Sequence, residues 1–138
     1  MIDHTGVPVS NMTRSKAWYA QALAPIGYGL MMEVDGEVPG EVTGHSAAAG
    51  FGEIITHKPD FWLADEDPAR IKNMPRIHIA FTAKTRAAVD AFHAAAIAAG
   101  GKDNGPPGLR PHYHPNYYGA FVLDPDGHNI EAVCHAPA

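Results

Sequence analysis

Apolar and polar positions run through one succession of patterns twice. A strand pattern over residues 2–9 gives way to helical spacing, with Trp18 or Tyr19, Ala22, Leu23 and Ile26 recurring on one face. This predicts an amphipathic helix over 12–24, capped by Ser10 or Asn11 and stopped by Pro25 and Gly27. Strand patterns follow at 28–34, at Ala47–Thr56 and at Asp60–Ala64, with a Gly/Pro-rich loop from Asp35 to Gly44 after the first of them. A polar, Pro-bounded stretch from Asp65 to Pro75 reads as a connection. The plan then returns: a strand over 76–83, a helix capped by Thr85 that carries Val89, Phe92, Ala96 and Ile97 on one face, and a stop at Gly100 and Gly101. A loop is expected from Asp103 to Pro111, then strands at His112–His114, Tyr117–Leu123 and His128–His135. Asp124-Pro125-Asp126-Gly127 is a tight-turn sequence that should fold the last two into a hairpin.

Each half is therefore a strand, a helix and about three further strands. An offset of 74 positions lays His4 on His78, Trp18 on Phe92, Leu23 on Ile97 and Gly27 on Gly101. The expected class is α+β, one domain over 1–138 built from two βαβββ modules. Module one covers about 1–66, a linker about 67–75, and module two about 76–138.

Composition narrows the field. A chain of 138 residues can bury a core without covalent staples, and its single cysteine, Cys134, cannot form an internal disulfide. No signal pattern and no run near the ~20 apolar residues of a membrane span are visible, so a cytoplasmic protein without a membrane partner is expected. Ten basic residues against fifteen acidic ones leave a charge of -5, and the basic residues form no stripe. Nucleic acid is accordingly not expected as a partner.

Nine histidines direct attention to metal and proton chemistry. His4, in Ile2-Asp3-His4-Thr5-Gly6-Val7, and His78, in Arg76-Ile77-His78-Ile79-Ala80-Phe81, occupy equivalent first strands. Glu131 lies in the closing strand, where Asn129, Glu131 and Val133 share a face. Two imidazoles and a carboxylate are the donors of a divalent metal site with open positions, suited to Fe, Zn, Ni or Mn. The segment Gly108–Tyr118 adds His112 and His114, which in a strand point the same way and can serve as general bases. Arg110 can bind a substrate carboxylate, and Tyr117 and Phe121 can line a pocket. Trp62 and Phe61 read either as pocket wall or as sheet core. His128 and His135 fall on the far face of the last strand or beyond it, outside the site.

The plan, with its closing stretch Tyr118-Gly119-Ala120-Phe121-Val122-Leu123-Asp124-Pro125-Asp126-Gly127-His128-Asn129-Ile130-Glu131, resembles the vicinal oxygen chelate superfamily. That superfamily holds glyoxalase I, extradiol dioxygenases, fosfomycin-resistance transferases and bleomycin-resistance proteins. The resemblance implies sheets curled into an open, barrel-like concave cavity and a homodimer. It also implies a metal ion held inside by His4, His78 and Glu131, and a small-molecule substrate bound through adjacent oxygens. The chain departs from glyoxalase I where a fourth ligand is expected. Its strand there is Asp60-Phe61-Trp62-Leu63-Ala64, whose facing residue is Phe61, Trp62 or Leu63, with His57 or Asp60 alternatives under another register. Gly6 stands where fosfomycin-resistance transferases carry threonine. Three readings follow: a metal-dependent enzyme of the glyoxalase or dioxygenase type, a metal-free ligand-binding protein like those of bleomycin resistance, and a dimeric structural module with no small-molecule role.

Overall fold

A computed structural model describes residues 1–36 and 46–138; most of the expected 35–44 loop lies outside the described residues. The chain runs β1 (Thr5–Val9), α1 (Met12–Leu23), β2 (Tyr28–Asp35), β3 (Ala47–Glu53), β4 (Phe61–Asp65), α2 (Pro68–Ile71), β5 (His78–Thr82), α3 (Arg86–Ala98), β6 (Lys102–Leu109), β7 (Tyr118–Leu123) and β8 (Asn129–Cys134). Two four-stranded sheets result, ordered β1-β4-β3-β2 and β5-β8-β7-β6. In each the first strand pairs in parallel with the last and the other pairings are antiparallel. The two βαβββ modules are thus present, and the sheets do not close on each other.

The local signals explain the helices. Asn11 accepts the Arg14 N–H and Thr85 accepts the Ala88 N–H, each satisfying an orphan donor of the first turn. A 3-10 turn at Ala24–Ile26 ends α1, and Gly27 closes it at φ 85°. Each helix lays its apolar stripe on one sheet, burying Trp18, Tyr19 and Leu23 on one side and Val89 and Phe92 on the other.

The modules meet through these same elements. Trp18 of α1 donates its indole N–H to the Ala96 carbonyl of α3 at 3.0 Å. Phe81 packs edge-on against Phe61 and Tyr28, with ring centroids 5.1 and 5.3 Å away. Gly101 lies where a Cβ would stand 2.6 Å from Val122 Cγ1, 2.8 Å from the Ala96 carbonyl and 2.9 Å from the Trp18 indole nitrogen. Gly101→Ala is therefore expected to destabilise the chain by about 1–3 kcal/mol, as overpacking does. Urea unfolding checks it, and an unchanged midpoint would show that the contact yields without cost.

Three expectations need correction. The stretch 102–109 is not a loop but β6, an edge strand whose register shifts at Asp103/Gly105 and Gly105/Gly108. An edge strand has only one partner, so Pro106, Pro107 and the glycines are tolerated there. His112–His114 is not a strand but a turn, in which Tyr113 and His114 both donate to the Arg110 carbonyl. The connection contains a short helix, α2, begun by Pro68 and capped by the Asp67 carboxylate. Among the described residues no helix is long and apolar enough to cross a membrane.

Candidate functional site

In β8 the side chains of Ile130, Ala132 and Cys134 belong to the core, which turns Glu131 to the other face of the sheet. Its neighbours across the ladder are Ala80 of β5 and Phe121 of β7. Glu131 is nonetheless only 1% exposed, because two side chains cover its carboxylate. Tyr117 donates its hydroxyl to Oε1, and His78 donates Nε2–H to Oε2 at 2.9 Å. Gly119 makes this possible: a Cβ there would press within 3.2 Å of Glu131 Oε1 and 3.1 Å of the Tyr117 ring. Burial first, and then the adjacent carboxylate, push the Tyr117 phenol well above its ordinary range, so it stays a donor.

The surrounding residues extend this centre along the sheet. Phe121 lies 6.3 Å from the His78 ring, and the Arg110 guanidinium sits 5.6 Å above Phe121. Arg110 is held there by the carbonyls of Pro106 and Leu109, at 2.7 and 3.3 Å. His112 and His114 occupy the exposed turn beyond. His112 packs on Tyr113, which packs on Tyr117; His114 accepts the Asn116 N–H and faces His135. Neither is brought against His78 or Glu131 by any of these contacts.

His4 lies just before β1, not within it. Its side chain is 63% exposed and pairs with Asp3 at 2.8 Å. Among the described residues no three His, Cys, Asp or Glu side chains are gathered to hold a metal ion. His78 and Glu131 meet, while His4 stands apart. It does line two cavities. One, of about 430 Å³, has Tyr28 and Asp60 on one wall and Ala80 and Thr82 of β5, the strand of His78, on another. There burial, followed by Asp60, pushes the Tyr28 phenol up to about 12. The second, of about 740 Å³, runs over the open face of the first sheet between Gly6, Met32, Val34, Ala48, Trp62 and Ala64.

In β4 Phe61 and Leu63 are buried in the core, while the Trp62 side chain lies with Gly6 on the opposite face and lines the groove. Trp62 pairs with Gly6 and Gly50, and its ring spreads so closely over Gly50 that a Cβ would come within 2.9 Å of it. On this face β4 thus presents an indole, which is not a usual metal ligand.

A family model described as the Glyoxalase/Bleomycin resistance protein/Dioxygenase superfamily matches residues 1–132. The chain belongs to this superfamily. Among solved structures, a glyoxalase/bleomycin resistance protein from Albidiferax ferrireducens is 28% identical over 98% of both chains, with a TM-score of 0.64. A glyoxylase/bleomycin resistance protein/dioxygenase domain from Frankia sp. shares the fold at 15% identity and a TM-score of 0.70, over 97% of this chain and 96% of that one. A glyoxalase I mutant from Zea mays matches 96% of this chain with 46% of its own length, at 22% identity and a TM-score of 0.67. No curated protein shows significant similarity.

One group of residues escaped sequence reasoning. His128, expected outside any site, is buried with both ring nitrogens bonded, Nδ1 to Ile77 within its own module and Nε2 to Pro8 of the other. Asp-Pro-Asp-Gly-His reads locally as a hairpin turn, and nothing in it signals a partner on the first module.

Proposed function

We propose that this chain is a metal-dependent small-molecule enzyme of the glyoxalase or dioxygenase type. In this reading His78 and Glu131 form the core of a divalent centre, and His4 is the third donor. The observation that carries it is the buried Glu131 carboxylate, held by Tyr117 and facing His78 on the open side of a sheet. A buried carboxylate is costly unless its charge is matched, and a cation is the matching partner. In donor type the residues fit Fe, Zn, Ni or Mn. The His78–Glu131 hydrogen bond is the contact that a bound ion would replace. Such an ion supplies Lewis acidity to two adjacent substrate oxygens.

The chain's own residues supply the rest. Tyr117 fixes the carboxylate, and Arg110 offers an anion contact beside Phe121. The groove over Gly6 and Ala48, walled by Trp62, Met32 and Val34, suits a flat apolar substrate body. His112 and His114 stand beyond Tyr113, so a part in proton transfer would require a substrate that extends past Tyr117. The proposal includes a homodimer in the cytoplasm, with His4 contributed by the same chain or by a second copy.

A metal-free ligand-binding protein is the second reading. It is favoured by the exposed, Asp3-paired His4 and by the indole in the fourth position. Elemental analysis of protein purified without chelators separates the two. About one ion per chain, lost in His78→Ala, is the expected result. No ion in the native chain, and none taken up on reconstitution, would move the assignment to the second reading.

A further inference from the structure

The turn between β7 and β8 makes more bonds than a hairpin requires, and most of them reach the first module. His128 is 2% exposed. Its Nδ1 accepts the Ile77 N–H at 3.2 Å, and its Nε2–H donates to the Pro8 carbonyl at 2.9 Å. Ile77 immediately precedes His78, and Pro8 lies four residues after His4 on β1. One imidazole therefore links β1, which follows His4, to the residue just before β5, which begins at His78. A backbone N–H can only donate and a carbonyl can only accept, so these partners demand the Nε2–H tautomer. The His128 N–H is itself held by Asp124 at 2.8 Å, and Asp124 also accepts the Tyr19 hydroxyl of α1 at 2.7 Å. Asp126 accepts the Ser10 N–H at 2.9 Å, the Ser10 hydroxyl, and Arg14 at 3.4 Å.

We infer that His128, with Asp124 and Asp126, is a latch that sets the first module against the second and so places His4 relative to His78 and Glu131. His128 is then a positioning residue, not a ligand. The last clause rests on the proposed metal centre; the latch itself does not. A histidine used only to fill the core would have no need of two backbone partners on different modules. A turn used only to reverse the chain would have no need of Ser10.

The test begins with the metal-free wild-type chain. Long-range ¹H–¹⁵N correlation should show His128 as the Nε2–H tautomer, and an Nδ1–H tautomer would overturn the bonding. Two folded variants then divide the latch. His128→Asn keeps an acceptor near Ile77 but cannot reach Pro8, and His128→Gln keeps an N–H toward Pro8 but loses the Nδ1 acceptor. In both, the nuclear Overhauser contact between the Tyr28 and Phe81 rings should weaken. The contact between Tyr19 and Phe61 within the first module, 5.2 Å between centroids, should persist. Ser10→Ala, at the rim, should weaken the same contact to a lesser degree, and it serves if the His128 variants do not fold. Titration with Co²⁺ alone should show affinity about tenfold lower in the His128 variants, the scale of lost outer-shell support. Unmoved ring contacts overturn the latch whether or not metal binds. Moved contacts with wild-type Co²⁺ affinity overturn its role in placing His4. A wild-type chain that takes up no Co²⁺ defeats the metal reading, and the latch then stands or falls on the ring contacts.

Discussion

If Glu131 is a ligand as proposed, Glu131→Gln should weaken metal binding by about a hundredfold or more while leaving the fold intact. Glutamine is nearly isosteric: its carbonyl still accepts the Tyr117 hydroxyl, and its amide N–H can donate to His78 Nε2 once that ring takes the Nδ1–H tautomer, so the packing around β8 is preserved. What disappears is the negative charge, which in this buried position does most to favour a divalent cation. Loss of an outer-shell partner costs roughly 10–100-fold in affinity. Loss of a charged ligand should reach at least the upper end, on the order of a hundredfold. In the metal-free chain the unfolding midpoint should hold or rise, because a desolvated carboxylate has become a neutral amide. Calorimetric titration with Co²⁺ or Zn²⁺, paired with urea unfolding, reads both effects. Unchanged affinity would remove Glu131 from the centre, and lost affinity with a lost fold would leave Glu131 a structural role only.

Asp124→Ala should produce the largest loss of stability. Asp124 is 5% exposed and collects three donors: the Tyr19 hydroxyl and the N–H groups of Asp126 and His128. Alanine strands all three. Each buried donor left without a partner costs about 1–3 kcal/mol, so about 3–5 kcal/mol in total is expected, allowing for relaxation of the turn. That is a large part of the ~5–15 kcal/mol by which domains are stable. Asp124→Asn keeps an acceptor for the two N–H groups and should cost about 1 kcal/mol.

The same pair carries a pH signature. Burial raises the Asp124 carboxyl above its ordinary 3.8, despite the opposing hydrogen bond from Tyr19. A raised carboxyl favours the folded chain most below the ordinary value, and that contribution is lost as pH rises through the folded value. The advantage of the wild type over Asp124→Asn should therefore shrink as pH rises across that window. A growing advantage would show that the hydrogen bonds, not burial, dominate.

Local signals made most of the fold legible. Cap candidates at Ser10 or Asn11 and at Thr85 announced the two long helices, Asn11 being the one used, and Asp124-Pro125-Asp126-Gly127 announced the β7–β8 hairpin. β6 was hidden because Gly105, Pro106 and Pro107 are loop residues by local preference, and only its place at the sheet edge makes them tolerable. The alternation of His112 and His114 suggested a strand where flanking Pro111 and Pro115 accompany a turn. Trp62 could not be oriented from its strand alone. Which of three consecutive residues faces the groove depends on the register against β1 and β3.

The sequence by itself determined the repeated strand–helix–strand plan and the superfamily resemblance, and it singled out His4, His78 and Glu131 as candidate donors. These follow from periodicity, caps and short motifs, which act over a few residues. Only the tertiary structure decided which donors meet. It brought His78 to Glu131 beneath Tyr117, left His4 with Asp3, and carried His128 to a carbonyl 120 residues away. Such meetings depend on how two sheets and two helices pack, and on backbone groups that every residue type shares, so no local pattern announces them.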